Sequence, residues 1–271
     1  MQAIRTTKAL SEAGVAHFKR TGLQFPLPVL SAREAADYRR QLEAFEQSVC
    51  KGALPNKYRY KLHLILPFLD NLVRHPKILD AVEDIIGPDI LVWNSTFFIK
   101  EAKDPSYVGW HQDMVYWGLT PPESVTAWVA FTDSNIENGA MRVIPGTFEP
   151  LAHIDTFAKN NMLSRGQEIS VAIDQSEAVD VVLRAGEASL HDARLAHGSE
   201  PNQSSDRRMG FAIRYVPTLV EQIANPKVAT RSQPDVAVLV RGVDTYNHFV
   251  HAPRPRFDMD PACVAIHDRS T

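Results

Sequence analysis

The fold of this chain is constrained most strongly by a single change of hydrophobic pattern near residue 87. Residues 8–87 carry apolar side chains at helical spacing, and Ser31 followed by Glu34 is a typical signal for the start of a helix. Residues 88–220 instead contain short runs of β-branched and aromatic residues separated by turn residues. Strands and helices do not alternate, which argues against a Rossmann or TIM-barrel fold. The pattern predicts a mainly β sandwich or barrel with flanking helices.

The boundaries of the elements follow from the same pattern. We expect a first helix through Leu10, Val15, Phe18 and Leu23, and further helices over residues 33–50, 64–73 and 76–86. Strands are expected over residues 90–100, 124–131, 140–145, 169–173, 179–183, 188–191 and 209–215. We interpret residues 1–271 as a single domain. It has a helical N-terminal part (about 8–87), a barrel core (about 88–220) and a C-terminal extension (221–271) to which no firm element is assigned.

Composition excludes several classes of protein. The chain has 29 basic and 32 acidic residues and a net charge of -3, which argues against a nucleic-acid binder. No apolar run approaches the length of roughly 18 residues that a membrane-spanning helix needs, and the first residues lack the apolar segment of a signal peptide. Cys50 and Cys263 are far apart in the chain and fit two reduced thiols. We therefore expect a cytoplasmic protein without nucleic-acid or membrane partners; the sequence does not indicate its oligomeric state.

A candidate metal site begins at His111-Gln112-Asp113. On an extended segment, residues i and i+2 point to the same face, so the imidazole and the carboxylate can converge on one ion. His197, in His197-Gly198-Ser199, follows a later strand-like run and can supply a second imidazole. Two histidines and one carboxylate on one face of a metal form the facial triad of non-haem Fe(II) oxygenases.

An arginine lies at a matching position. Arg208 comes eleven residues after His197, at the head of the strand expected over residues 209–215. A buried guanidinium can bind a carboxylate in a bidentate manner, as an oxygenase that consumes a 2-oxo dicarboxylic acid requires. Asp206 and Arg207 adjoin Arg208, so a solvated surface arginine is the alternative, but its register with both metal motifs favours the clamp.

Three stretches occur in a characteristic order: Gly109-Trp110-His111-Gln112-Asp113, the run from Asn138 to Thr147 and His197-Gly198-Ser199-Glu200-Pro201-Asn202. Together they resemble the phytanoyl-CoA dioxygenase family, whose members are Fe(II)- and 2-oxoglutarate-dependent oxygenases. The resemblance covers roughly residues 15–220 and implies a double-stranded β-helix, that is, a cupin-like jelly-roll barrel. It further implies a dioxygenase that uses Fe(II), 2-oxoglutarate as cosubstrate and O2.

The resemblance also assigns roles to single residues. It implies that His111, Asp113 and His197 hold the iron and that Arg208 binds the distal carboxylate of 2-oxoglutarate. Ser199 matches a hydroxyl contact to that carboxylate, Trp128 matches an aromatic residue beside the cosubstrate, and Lys100 lies where some relatives place a cosubstrate lysine. Related halogenases replace the carboxylate at the position of Asp113, so its presence here favours hydroxylation or desaturation, with release of succinate and CO2.

Several alternatives remain open. His191 is a rival to His197, but no arginine follows it at the matching distance, and a position in the core or beside the site suits it better. His248 and His251 form a pair in the tail, where Pro253 argues against a long helix. A jelly-roll metalloenzyme of other chemistry would not need the arginine clamp, and a non-enzymatic cupin-like binding protein would not need the intact metal triad.

The substrate side of the site is the least defined part of the sequence. We expect Trp110, Met114, Tyr116 and Trp117, next to the His-x-Asp motif, to line the pocket, together with residues 153–178. That segment is long for a turn and is interpreted as a lid, in which Arg165 meets an anionic group of the substrate. No strongly basic face for a CoA ester is evident, which favours a small metabolite or biosynthetic intermediate.

Overall fold

The computed structural model describes residues 7–156, 158–163, 167–223 and 235–271. Its helices are α1 (Glu12–Thr21), α2 (Ala32–Phe45), α3 (Asn56–Arg59), α4 (Pro67–Val73), α5 (Pro76–Ile86), α6 (Met114–Trp117) and α7 (Pro261–Ser270). The expected capping box is present, because Ser31 accepts a hydrogen bond from the Glu34 backbone while the Glu34 side chain returns to the Ser31 N–H. A π-helical turn, Glu46–Cys50, continues α2.

The strands are short, as the pattern predicts. They are β1 (Leu23–Pro28), β2 (Ile90–Lys100), β3 (Val108–His111), β4 (Leu119–Thr120), β5 (Val125–Ala130), β6 (Met141–Ile144), β7 (His153–Asp155), β8 (Gln167–Ile169), β9 (Val179–Val181), β10 (Glu187–Asp192), β11 (Ala196–Ser199), β12 (Arg208–Pro217), β13 (Glu221–Gln222), β14 (Val236–Arg241) and β15 (Val250–His251). A seven-stranded sheet has the order β1-β10-β5-β12-β2-β14-β15, and a four-stranded sheet has the order β3-β11-β6-β9.

The central strand β12 shows how the seven-stranded sheet separates two compartments. All ten residues of β12 are buried, so the strand is covered on both faces. Successive side chains of a strand point to opposite faces. Met209, Phe211, Ile213 and Tyr215 belong to the large apolar core shared with the helices, and this core covers one face of the sheet. The intervening side chains, from Arg208 to Arg214, therefore face the four-stranded sheet and the interior of the barrel.

The structure corrects the sequence expectations at both ends of the main sheet. Leu23 does not end the first helix: Gly22 terminates α1 with a left-handed backbone, and Leu23 opens β1, which pairs with β10. The C-terminal extension, expected to lack firm elements, contributes β14 to the same sheet beside β2 and also forms α7. The strand expected over 169–173 is displaced toward the N-terminus, since β8 ends at Ile169.

Among the described residues, no helix combines the length and the apolar character that crossing a bilayer requires.

Candidate active site

The candidate metal ligands come together where two strands of the four-stranded sheet meet. β3 and β11 are antiparallel, and their register places His197 directly opposite His111. Asp113 follows as the residue that precedes α6. One ligand atom from each of His111, Asp113 and His197 lies within 4.8 Å of the others, and all three residues are buried. The structure therefore brings together the triad expected from the sequence.

Hydrogen bonds orient both imidazoles for metal binding. Nδ1 of His111 lies 2.9 Å from the carbonyl oxygen of Gly109, and Nδ1 of His197 lies 2.9 Å from that of Leu195. A carbonyl oxygen can only accept, so each Nδ1 donates a proton to it, and Nε2 is the ring nitrogen left available to a metal ion. Nε2 of His111 points toward Asp113, 3.4 Å from its carboxylate. This is the tautomer in which Nε2 can bind a metal ion.

Electrostatics maintain the protonation states that a metal requires. Burial, reinforced by the neighbouring His111, lowers the pKa of His197 to about 3, so this imidazole is neutral at physiological pH. Burial alone would raise the pKa of Asp113, but the hydrogen bond with His111 and the charge of Arg214 hold it below its ordinary value. One Arg214 nitrogen lies 3.9 Å from the Asp113 carboxylate. One carboxylate and two imidazoles form a donor set that suits Fe(II).

Gln112, between two of the ligands, is a residue whose role sequence reasoning missed. It is 1% exposed, and its side-chain amide donates to the carbonyl oxygens of Thr147, Glu149 and Arg194. Its amide oxygen accepts from the Leu151 N–H. These bonds attach the His-x-Asp motif to two surrounding loops and so fix the direction of its strand. The partners lie far along the chain, so no local pattern could reveal them.

A narrow pocket leads from the metal cluster between the two sheets to Arg208. It is lined by His197, Ser199 and Met141 on one side and by Trp128, Arg208 and Arg214 on the other. Arg208 is 2% exposed, lies 5.3 Å from the centre of the Trp128 ring, and its Nε has no hydrogen-bond partner among the described residues. Burial lowers the pKa of Arg208 to about 10, so the guanidinium remains charged at neutral pH. A buried, charged and incompletely paired guanidinium suits a carboxylate ligand.

Lys100 lies beside this pocket and is fully buried. Its Nζ donates to Ser199 Oγ at 2.8 Å and also contacts the carbonyl oxygens of Ser199 and Glu200. Burial, reinforced by the charge of Arg208, lowers the pKa of Lys100 to about 6. The structure thus places Lys100 and Ser199 next to each other and next to Arg208, the neighbourhood that the sequence motifs indicated.

A second, larger cavity of about 360 Å³ opens on the other side of the metal cluster. Phe98, His111, Asp113 and Arg214 line both this cavity and the narrow pocket. Tyr116 and Trp117 line the larger cavity, as expected from their positions in the sequence. The metal cluster therefore lies where the two spaces meet.

Two other residues expected at the substrate pocket lie elsewhere. Trp110 neighbours His111 on β3 and faces the opposite side of the sheet, where the Arg142 guanidinium lies 5.6 Å from its ring. Met114 packs against the apolar cluster around Leu119 and Val220. Arg165 lies outside the described residues. Of the segment 153–178, Met162, Leu163 and Gln167 border the larger cavity, while its action as a lid stays a prediction.

The remaining histidines are separate from the metal cluster. The His191 ring lies 5.3 Å from that of His197 and lines the narrow pocket, and burial lowers its pKa to about 4. Within the part of the chain that the structure describes, His191 does not belong to the group of convergent ligand atoms. In the tail, Nε2 of His251 lies 2.8 Å from Asp244, and Nδ1 of His248 lies 4.0 Å from Glu221.

Comparison with known proteins identifies the family. The model of the phytanoyl-CoA dioxygenase family matches residues 10–210 of this chain. The chain belongs to the phytanoyl-CoA dioxygenase family. A probable alpha-ketoglutarate-dependent hypophosphite dioxygenase of Stutzerimonas stutzeri is 30% identical over 157 residues, which are 56% of this chain and 54% of that protein. An ectoine dioxygenase of Nocardia farcinica is 25% identical over 239 residues, 77% of this chain and 80% of the relative. The match thus spans about half of the first relative and most of the second.

Solved structures of similar proteins agree with the observed fold. The apo form of ThoJ, a non-heme monooxygenase, superposes with a TM-score of 0.82 at 36% identity and covers 94% of both chains. CytC3 with Fe(II) and alpha-ketoglutarate superposes with a TM-score of 0.65 at 27% identity, covering 90% of this chain and 93% of CytC3. These relatives confirm the expected jelly-roll fold and the expected enzyme class, a dioxygenase that depends on iron and 2-oxoglutarate.

Proposed function

We propose that this protein hydroxylates a small-molecule metabolite or biosynthetic intermediate, with release of succinate and CO2. The observation that carries the proposal is the position of His111, Asp113 and His197 at the junction of two cavities. The narrow pocket ends at a buried guanidinium, and the larger cavity has room for a second molecule. An oxygenase with two organic substrates needs this arrangement, because both molecules must reach one metal from different sides.

The residues of the narrow pocket divide the work of binding the cosubstrate. Arg208 would pair with the distal carboxylate of 2-oxoglutarate, and Ser199 would add a hydroxyl contact, while Trp128 would confine the carbon chain. When bound at the triad, iron and 2-oxoglutarate supply the activation of O2 that transfers one oxygen atom to the substrate.

The residues around the metal would keep the triad in place while the substrates bind and the products dissociate. Gly109 and Leu195 hold the two imidazoles through their carbonyl oxygens, and Arg214 attracts the carboxylate of Asp113. The residues that line the larger cavity would select the second substrate.

The test is the conversion of 2-oxoglutarate to succinate by the purified protein with Fe(II), ascorbate and O2. We expect iron-dependent succinate formation, at a low rate without substrate and at a higher rate with it. Asp113→Ala should abolish the reaction. The control is Asp180→Ala, which removes an ion-pair partner of Arg142 on the edge strand β9, away from the metal cluster, and should not abolish it. Failure of the wild-type protein to form succinate under these conditions contradicts the proposal.

A further inference from the structure

The wall of the larger cavity is shaped by an irregularity in β2. Arg214 on β12 pairs with Asn94, whereas the next residue, Tyr215, pairs with Val92, so Trp93 is an extra residue in β2. An extra residue re-aims the side chains around it. As a result, both Trp93 and Asn94 line the cavity, although neighbours in a regular strand face opposite sides.

Arg59 lies on the same wall and is linked to the metal ligands through a series of contacting residues. Arg214 donates to Thr96 Oγ1 at 2.7 Å, and Thr96 pairs through its backbone with Tyr60, the residue after Arg59. Arg59, Tyr60 and Thr96 all line the cavity. A molecule in the cavity can therefore touch Arg59 at one part of its structure while another part lies at the metal cluster.

The lining of the larger cavity has more unpaired hydrogen-bond donors than unpaired acceptors. Among the described residues, three buried donor atoms on its lining have no partner: Arg59 Nη2, Trp93 Nε1 and Arg214 Nε. Two buried acceptors on the lining, Asn94 Oδ1 and Gln167 Oε1, also have no partner among the described residues. Buried polar groups without partners are costly, so an occupant that supplies acceptors and a donor is favoured.

The charged side chains of the lining also favour an anionic occupant. Lys61 is neutralised by Asp235 at 2.8 Å, and Asp113 belongs to the metal cluster. Arg214 is engaged by Asp113 and Thr96. Arg59, by contrast, is a half-buried guanidinium for which the described residues offer neither an ion pair nor a side-chain hydrogen bond.

We propose that the second substrate is a small amino acid or amino-acid derivative whose carboxylate pairs with Arg59. The carboxylate would satisfy the donors of Arg59 and Trp93, and an N–H or ammonium group of the same molecule would satisfy Asn94 Oδ1. The inference rests on the proposed function, because it assigns the larger cavity to the substrate that is hydroxylated. Arg59 is the residue that determines specificity for an anionic substrate.

The experiment compares free L-amino acids with their primary amides, which have nearly the same shape but lack the charge. Binding is measured by anaerobic calorimetry to protein loaded with Fe(II) and 2-oxoglutarate, and turnover by succinate formation above the substrate-free rate. We expect at least one free acid to bind and stimulate turnover, with its amide at least tenfold weaker, a difference of about 1.4 kcal/mol. Arg59→Gln should remove the preference for the acid, and Arg59→Lys should restore part of it.

A matched control is Arg33→Gln, at an exposed position of α2 outside the cavity lining; it should keep the wild-type preference. Equal binding of acids and amides, failure of every free acid to bind, or an acid preference that survives in Arg59→Gln would each overturn the assignment. Failure of the proposed function gives a different result, namely no iron-dependent succinate from the wild-type protein even without an amino acid. The far-UV circular dichroism spectrum and the unfolding midpoint of Arg59→Gln, compared with those of the wild type, report whether the variant is folded.

Discussion

The imidazole rings of His111 and His197 lie 4.1 Å apart between centroids, and each ring is held by the carbonyl oxygen of the residue two positions before it in the chain. The register of β3 and β11 makes the two residues direct partners. Because these constraints come from the sheet itself, the two Nε2 atoms are oriented before any metal arrives. Asp113, the residue that precedes α6, completes the triad.

The first prediction separates His197 from its neighbour His191. His197→Ala should abolish stoichiometric Fe(II) binding, because it removes one of three ligands. His191→Ala should retain Fe(II) binding, with a loss of no more than about 100-fold, the range typical of residues that only support metal ligands. Anaerobic titration of Fe(II) with each purified variant measures the difference. If His191→Ala lost the metal and His197→Ala kept it, the ligand assignment would be reversed.

The second prediction concerns the cosubstrate clamp. Arg208→Ala should raise the KM for 2-oxoglutarate about 30-fold or more, since removal of one partner from a buried charge pair costs about 2–5 kcal/mol. Arg208→Lys should restore part of the affinity, because an ammonium group lacks the planar fork. The adjacent arginine provides a control: Arg207 pairs with Glu46 and Glu101 away from the pocket. Arg207→Gln should leave this KM unchanged, and an unchanged KM in Arg208→Ala would place the clamp elsewhere.

The chemistry-bearing part of the site could be predicted from the sequence because it depends on local spacing. His111 and Asp113 share a short motif, and Arg208 follows His197 by eleven residues, at the start of the next strand along the chain. The same applies to the strands, whose β-branched and aromatic runs are local signals. Folding then brings these segments together in space.

The rest depends on contacts between distant parts of the chain. β1 and β14 join the main sheet through pairing with β10 and β2. The β-branched run of β14 is a local strand signal that sequence reasoning missed, but it does not show which strand β14 pairs with. Arg59 is an ordinary arginine in the sequence, and only the cavity around it distinguishes it from a surface residue. Trp110 was expected in the pocket because it is next to a ligand, but strand alternation turns it to the other face.

A third prediction concerns the close packing of Trp128 on Gly210. A Cβ atom at residue 210 would overlap the indole ring of Trp128, the ring that lies against Arg208. Gly210→Ala should therefore lower the free energy of unfolding by about 1–3 kcal/mol, the usual cost of overpacking, and should weaken 2-oxoglutarate binding. Chemical denaturation and the KM for 2-oxoglutarate report the two effects.

Gly14→Ala serves as the control for Gly210→Ala. A Cβ at residue 14, in α1, meets only Ser11 and Leu10 at ordinary van der Waals distances of 3.5 and 3.6 Å. This substitution should stabilise the protein by about 0.5–1 kcal/mol, because alanine is favoured over glycine in a helix. Equal effects of the two substitutions would contradict the packing argument.

A fourth prediction concerns Arg214 as a positioning residue for Asp113. Arg214→Met removes the charge next to the metal-binding carboxylate while keeping much of the side-chain volume. We expect Fe(II) affinity to fall by about 10- to 100-fold, as for other residues that orient metal ligands. The pKa of Asp113 should rise, so Fe(II) binding should weaken at a higher pH than in the wild type as the solution is acidified. A pH titration of Fe(II) binding that coincides for the two proteins would exclude this role.

The last prediction links proton uptake to cosubstrate binding through Lys100. Burial and the charge of Arg208 lower the pKa of Lys100 to about 6, so at pH 7.5 its amine is mostly neutral in the cosubstrate-free protein. A dianion bound at Arg208 offsets that positive charge and raises the pKa of Lys100, so protons should be taken up on binding in the range just above pH 6. Anaerobic calorimetry at pH 7.5 in two buffers of different ionisation enthalpy measures this uptake as a difference in apparent binding enthalpy. We expect uptake of a fraction of a proton per molecule in the wild type and almost none in Lys100→Met. The same shift makes the folded state bind fewer protons than the unfolded state between about pH 6 and 10.5, the ordinary pKa of a lysine. Stability should therefore rise with pH across this window in the wild type and rise less in Lys100→Met.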